Sequence, residues 1–380
     1  MIGAIAGDII GSVYEHHNTK TTTFEPLFDP RCHFTDDTIL TVAIADAILT
    51  GSPYSEKLKE YYRAYPGAGY GPGFRRWAAS NSTRPRYSAG NGSAMRVSPV
   101  AFAFDTLDRV LNEARKSAEV THNHPEGIKG AQAVASAVFL ARTGEGTLEI
   151  KKYIEDTFGY NLDEPIDKIR EHYKFDATCQ GSVPQAIRAF LEGKGYEDTI
   201  RKAISIGGDS DTIACIAGGI AYAFNRGLEN EYGFTDYIRN KTLEVLDDRL
   251  RTIVLEFEGK YINSQPDPGR IRWHNYKKKS REDGLRFLEE ERQKYPFMNL
   301  FKKLDFFRPT RENCCGSTLD DFTIDNGVAF ISYEPNPEYI SRSCSIPASW
   351  EFQGIYLCHD HKDKIIAKLK EIWDGKRSDG

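Results

Sequence analysis

Two short acidic motifs stand out as the residues able to do chemistry: Thr35-Asp36-Asp37-Thr38 and Gly207-Gly208-Asp209-Ser210-Asp211-Thr212. Each sets two aspartates and flanking hydroxyls at the start of an apolar run, Ile39–Leu49 after the first and Ile213–Phe224 after the second. Taken singly, each reads as a helix cap, because Ser, Thr and Asp are favoured at the N-cap and carboxylates are favoured by the helix dipole. Taken together they carry more charge than capping needs. Unit charges ~4 Å apart repel by ~4 kcal/mol at an effective dielectric near 20. Four such carboxylates in one pocket therefore call for divalent cations. The donors are carboxylate and hydroxyl oxygens, which suit two hard ions, Mg²⁺ or alternatively Mn²⁺, rather than zinc.

Four further segments carry polar groups beside helix starts. Gly7-Asp8-Ile9-Ile10-Gly11-Ser12-Val13-Tyr14-Glu15 is an apolar stretch with two acids. Gly90-Asn91-Gly92-Ser93-Ala94-Met95-Arg96 is a Gly-rich turn whose backbone N–H groups are suited to phosphates, although Gly and Asn also serve plain loops. Thr121-His122-Asn123-His124-Pro125 and Thr178-Cys179-Gln180-Gly181-Ser182-Val183-Pro184 each open a helix. Cys179 reads as a packing thiol rather than a nucleophile.

The elements that must position these residues are helices. Apolar spacing is helical through Val42–Leu49, Ala131–Leu140, Ser182–Leu191 and Ile213–Phe224, and alternating strand runs are scarce. Turn signals such as Gly51-Ser52-Pro53 separate them. The expected fold is all-α over residues 1–262, with small residues permitting close helix packing. A Pro/Gly linker follows at 263–269, and residues 270–380 are expected to form a smaller accessory α+β domain. In that second unit Val328–Tyr333 and Phe352–Leu357 read as strands and His361–Trp373 as a closing helix. Its cysteines, Cys314, Cys315, Cys344 and Cys358, fit no standard zinc spacing. Its basic run, Lys277–Lys279 with Arg281 and Arg286, is either a solvated face or a partner surface.

With 380 residues, 40% hydrophobic and 28% charged, the composition is that of a globular protein with more than one core. No apolar run is long enough to span a membrane. The first residues lack the basic region of a signal peptide, and the seven cysteines form no disulfide framework, so cytoplasmic residence is expected. A net charge of −5 argues against nucleic-acid binding by the chain as a whole.

In order, Gly-Asp-x-x-Gly-Ser-x-Tyr-Glu, Thr-Asp-Asp-Thr, Gly-Asn-Gly-Ser-Ala-Met-Arg, Thr-His, Ser-Val-Pro and Gly-Gly-Asp-x-Asp-Thr resemble the motifs of the ADP-ribosylglycohydrolase family across residues 1–262. That family includes hydrolases acting on modified dinitrogen reductase and on arginine- and serine-linked ADP-ribose. The resemblance implies a compact, orthogonal helical domain with two Mg²⁺ ions at the base of a cleft. Thr35, Asp36, Asp37 and Asp211 would hold one ion, and Asp209, Asp211 and Thr212 the other. ADP-ribose would lie against Ser88, Gly90, Asn91, Gly92, Ser93 and Met95, with His122 near its diphosphate or distal ribose. Glu15, Asp36 and Asp209 would be catalytic. Glu15 matches the mobile glutamate of serine-type members, which favours serine- or O-linked substrates, with Glu25 of the same loop as its competitor. Some members stack an aromatic on adenine just before the Gly-Asn turn. In this chain Ala89 stands there, leaving Tyr87 or Tyr70 as substitutes. The implied activity is hydrolysis of the N- or O-glycosidic bond of ADP-ribose on protein side chains or related conjugates. The alternative is a non-catalytic protein of the same fold that binds ADP-ribose or an ADP-ribosyltransferase toxin.

Overall fold

The structure, a computed structural model, describes residues 1–226 and 232–263, scattered positions from 265 to 275, five short strands between 308 and 357, and Ala367. The chain divides into two compact units, Met1–Arg272 and Trp273–Gly380. In the first unit the described elements are all helices: α1 (Ile2–Gly11), α2 (Asp36–Thr50), α3 (Tyr54–Ala64), α4 (Pro72–Ala79), α5 (Gly92–Met95), α6 (Ser98–Ala103), α7 (Leu107–Glu119), α8 (Pro125–Arg142), α9 (Thr147–Phe158), α10 (Ile166–His172), α11 (Cys179–Glu192), α12 (Tyr196–Ile206), α13 (Ser210–Asn225), α14 (Tyr232–Val245) and α15 (Asp248–Tyr261). None is long and apolar enough to cross a membrane. The helical periodicity read from the sequence is therefore realised.

Helices apolar all round must be buried, and amphipathic ones lie at the surface. Every residue of α1 is buried, and α13 is buried along almost its whole length. By contrast α7 buries one stripe, Val110, Ala114, Ser117 and Ala118, at the spacing of a single helix face. The two buried helices lie directly against each other. What allows this is a glycine ladder at helical repeat: a Cβ on Gly3 would fall 2.2 Å from Tyr222 Cβ, on Gly7 2.1 Å from the Ala214 carbonyl oxygen, and on Gly11 2.6 Å from Asp211 Cα. Backbone thus touches backbone, and Asp8 of α1 is carried alongside Asp211 of α13. Around this pair α8, α11 and α12 pack on α13, and α2 and α14 pack on α1. Beyond α15, Gln265 Nε2 donates to the Phe102 carbonyl at 2.8 Å, and the first compact unit ends at Arg272.

In the second unit the described elements are short strands. β1 (Arg308–Pro309) pairs antiparallel with β4 (Trp350–Phe352), which pairs antiparallel with β5 (Ile355–Leu357). β2 (Asp321–Asp325) and β3 (Val328–Ser332) form a separate antiparallel pair with Asp325 opposite Val328. The strand expected over Val328–Tyr333 is present as β3, and the single strand expected over Phe352–Leu357 falls in two antiparallel strands instead. The expected helix at 361–373 apart from Ala367, the basic run at 277–286 and the four C-terminal cysteines lie outside the described residues.

The glycine ladder makes a sharp prediction. Gly7→Ala puts a methyl into a carbonyl that cannot move, so it is expected to destabilise the fold by about 3 kcal/mol. Gly219→Ala, whose Cβ would meet Ala4 Cβ at an ordinary 3.4 Å, is expected to be neutral or stabilising by up to about 1 kcal/mol. Denaturant midpoints of the two variants check this.

Candidate active site

α2 and α13 start at one cleft of ≈ 740 Å³, lined by Glu15, Asp36, Asp37, Asp209, Asp211 and Thr212 among others. The two starts are built differently. Thr35 is an ordinary N-cap, its hydroxyl accepting from Asp37 N at 3.3 Å. Asp209 occupies the N-cap of α13 without a side-chain cap bond. Its Oδ2 accepts instead from Asn91 Nδ2 at 2.7 Å. The preceding Gly207 and Gly208 have φ of 77° and 72°, a left-handed turn that glycine tolerates best, and this turn delivers Asp209 to the cleft. The capping reading therefore holds for Thr35 and fails for Asp209.

The carboxylates meet in two groups. Oxygens of Asp8, Asp37 and Asp211 lie within 4.8 Å of one another, as do those of Glu15, Asp209 and Asp211, so Asp211 belongs to both. Asp36 lines the same cleft but joins neither group. Burial raises the pKa of Asp8, Asp36, Asp37, Asp209 and Asp211 above the usual carboxylate range. Neighbouring acids push Asp36, Asp37 and Asp211 further the same way. Asp37 Oδ1 is buried with no hydrogen-bond partner, which is costly unless a cation or proton satisfies it. An all-oxygen donor set with an orphaned oxygen fits a hard divalent cation.

Sequence motifs alone give Asp8 no role, yet it organises the site. Its two oxygens accept from Thr35 N at 3.0 Å, Thr35 Oγ1 at 2.6 Å, Thr38 N at 3.1 Å and Thr38 Oγ1. A carboxylate inside the otherwise apolar Ile2–Ile10 stretch is the available signal, since charged residues are almost never fully buried unless paired.

Glu15 lies at the cleft with its side chain about 29% exposed. Burial raises its pKa; Asp209 and Asp8 add to the shift and His16 opposes it. Its competitor Glu25 is 78% exposed, held by Arg201 at 2.8 Å, and absent from the cleft lining. The loop between them is pinned. Asn18 Oδ1 accepts from Gly208 N, and Lys20 Nζ donates to the carbonyls of Ile206, Arg170 and Tyr173.

The Gly-Asn-Gly turn is stitched to the segment before α11 by Asn91 N to Ala177 O and Cys179 N to Ala89 O. Ser88, Gly90, Asn91, Gly92, Met95 and His122 line the cleft. Ser93 is the exception: its fully buried hydroxyl donates to Gly127 O at 2.7 Å and does not face the cavity. Cys179 donates to Gly90 O, and burial pushes its thiol up to about 12, so it is a packing group. Arg96 NH2 donates to Thr121 Oγ1, which lies 2.7 Å from His122 Nδ1. The threonine proton is then free for Nδ1, leaving Nε2 to carry the ring proton towards Gly90 and Gly92. Burial, then Arg96 and Arg86, hold His122 neutral, well below the usual histidine range.

Neither substitute for the missing aromatic lines the cleft. Tyr70 is buried and stacked on Phe74 at 5.3 Å, and Tyr87 packs edgewise on His124 at 4.6 Å. The aromatics on the cleft are Phe34, Tyr65, Phe74 and Phe175.

Residues 1–228 match the family model described as ADP-ribosylglycohydrolase. The chain belongs to the ADP-ribosylglycohydrolase family. Among similar proteins, ADP-ribosylhydrolase ARH3 of Homo sapiens is 28% identical over 305 residues, covering 59% of this chain and 84% of the relative. ADP-ribosylarginine hydrolase Tri1 of Pseudomonas putida is 24% identical over 257 residues, covering 59% of this chain and 68% of the relative. A solved structure described as an ADP-ribosylglycohydrolase-related protein complex is 22% identical with a TM-score of 0.49, covering 67% of this chain and 95% of the other.

The raised carboxyl pKa values fix the sign of a metal-linked stability effect. Folded carboxyls that hold protons more tightly than unfolded ones make stability fall as pH rises above the unfolded carboxylate range near 4. In EDTA the melting temperature is therefore expected to drop between pH 5 and pH 8. Added Mg²⁺ is expected to raise it more at pH 8 than at pH 5. Scanning calorimetry at the two pH values checks both expectations.

Proposed function

We propose that this protein is a metal-dependent hydrolase that removes ADP-ribose from modified protein side chains or related conjugates, acting through the Glu15–Asp209–Asp211 constellation. The observation that carries this reading is the coexistence in one cleft of two carboxylate groups sharing Asp211 with a partly exposed glutamate of raised pKa. Family membership and relatives named as ADP-ribosylhydrolases support it. Cytoplasmic residence belongs to the same reading.

Thr35, Asp36, Asp37 and Asp211 would hold one Mg²⁺ ion and Asp209, Asp211 and Thr212 the other, with Asp8 aligning Thr35 from behind. When bound, such ions neutralise the carboxylates and polarise substrate oxygens. The chain's own residues do the rest. Cleavage of the glycosidic bond develops positive charge on the ribose ring, which nearby carboxylates stabilise. Glu15 moves the proton, taking it from the attacking water or delivering it to the leaving group, and the upward shift of its pKa favours that exchange. Asn91 keeps Asp209 in place. His122 offers a neutral N–H donor at Nε2, and the Gly90–Gly92 turn allows backbone to approach the ligand closely. Glu15 rather than Glu25 is the proton carrier, because Glu25 is already paired with Arg201 outside the cleft. That choice favours serine- or O-linked ADP-ribose as substrate.

Release of ADP-ribose from serine-, arginine- and O-acetyl-linked substrates, in Mg²⁺ and in EDTA, tests the reading. Metal-dependent release from the serine- or O-linked substrate is expected. Asp209→Ala and Glu15→Gln should each lower kcat by about 10³-fold or more. Tight ADP-ribose binding without release from any substrate would instead establish the binding-protein alternative.

A further inference from the structure

The described arginines of the helical unit divide into two kinds. Most engage a carboxylate, a backbone carbonyl or an aromatic ring, as Arg201 does with Glu197 and Arg109 with Phe104. The side chains of Arg63, Arg75, Arg76, Arg84 and Arg86 do none of these among the described residues. All of them fall in one segment. From Tyr61 to Phe104 the chain has six arginines, no lysine and not one Asp or Glu, although the whole sequence holds 55 acids.

Folding gathers this segment on one side of the cleft. α4 has eight residues and is therefore about 12 Å long. The loop after it turns back along the helix. Its Ser80 and Ser82 carbonyls accept from Lys59 Nζ of α3 at 2.7 and 2.8 Å. By Arg86 the chain has returned to the helix start, where a Cβ on Gly73 would come within 2.2 Å of NH1. Arg84 lies between these two points, along the helix that carries Arg75 and Arg76. Arg63 is one turn beyond Lys59 on α3; burial, then the Arg63 charge, lowers the Lys59 pKa. Arg63, Arg75, Arg76 and Arg84 are exposed and stand outside the cleft lining, which includes the neighbouring Pro66, Gly71 and Phe74. Glu60, the acid before this segment, is already bonded to Lys57 and Arg249.

We propose that this arginine face docks an acidic polypeptide segment of the substrate, the residues flanking the side chain that carries ADP-ribose. The inference rests on the functional reading above and names the kind of protein recognised outside the nucleotide pocket. Like charges gathered without internal partners oppose folding, and they attract a partner of opposite sign. Arginine supplies all the charge, and its planar fork meets carboxylates in pairs. A face about 12 Å long spans three or four residues of extended chain, which suits a peptide. A nucleic-acid strand is held through many phosphates, and a net charge of −5 opposes its approach elsewhere on the protein.

Two peptides ADP-ribosylated in the linkage that the protein cleaves, one flanked by Asp and Glu and its twin by Asn and Gln, test the face. Wild type is compared with the triple variant Arg75→Gln, Arg76→Gln, Arg84→Gln at low and high salt. The wild type is expected to favour the acidic peptide by about tenfold in kcat/KM at low salt, through KM, and to lose the preference at high salt. The triple variant should lack the preference yet keep the wild-type kcat. Equal kcat/KM for the two peptides in the wild type would overturn the docking face, as would a preference that survives in the triple variant. Fluorescence anisotropy of an unmodified Glu-rich peptide separates this inference from the functional reading. Binding that the triple variant loses, in a protein that hydrolyses no ADP-ribose linkage, removes the reading and keeps the face. Turnover without such binding and without peptide preference does the reverse. Tighter binding of a single-stranded oligonucleotide of equal charge would overturn the polypeptide assignment.

Discussion

Everything at this site answers one electrostatic problem: five aspartates held together where water is scarce. The problem is created by packing. Because Gly3, Gly7 and Gly11 let α1 lie backbone-to-backbone on α13, Asp8 and Asp211 have no freedom to draw apart. The surrounding chemistry relieves the repulsion piece by piece. Thr35 and Thr38 give Asp8 four donors, Asn91 gives Asp209 one, and Asp211 bonds Thr212 N at 2.9 Å. What is left over, above all the orphaned oxygen of Asp37, is a demand that a cation or a proton would meet. Stability and function are therefore in tension, as expected where charges are concentrated for chemistry.

The local parts of this arrangement are legible in the sequence, and the parts that depend on distant contacts are hidden. Helices such as α8 and α13 follow from apolar spacing over a single stretch. The metal-type aspartates follow from motifs a few residues long. Asp8 is visible as an acid in an apolar run, but its partners Thr35 and Thr38 lie at the start of another helix, so its role needs the fold. Small residues suggest close packing without saying that α1 and α13 are the pair. Ser93 sits inside a ligand-type motif, and only the approach of the Gly127 carbonyl turns its hydroxyl inward. Tyr70 and Tyr87 have the right chemistry for an adenine platform, yet packing against Phe74 and His124 takes both away from the cleft.

The cleft is electrically lopsided. One part of it carries carboxylates that demand positive charge, and another carries the guanidinium groups of Arg86 and Arg96 beside a histidine they help to keep neutral. Such fixed fields orient a charged ligand before any short-range contact forms. A molecule with a hydroxyl-rich, cation-seeking end and an anionic end matches this polarity in one direction only. The same lopsidedness disfavours a purely apolar ligand, for which both parts would cost desolvation without return.

The anchoring of the Glu15 loop has a mechanical consequence. Ser12 is fixed at one side by its bond to Ile9 O and by His33 N, and Asn18 is fixed at the other by Gly208. Glu15 hangs on the short leash between them. At about 3.5 Å of reach per residue, the three residues on either side hold the Glu15 backbone within about 10 Å of each mooring. Its far mooring is the very turn that aims Asp209. A displacement of one is thus pulled on by the other, so Glu15 and Asp209 keep their spacing as a single working part.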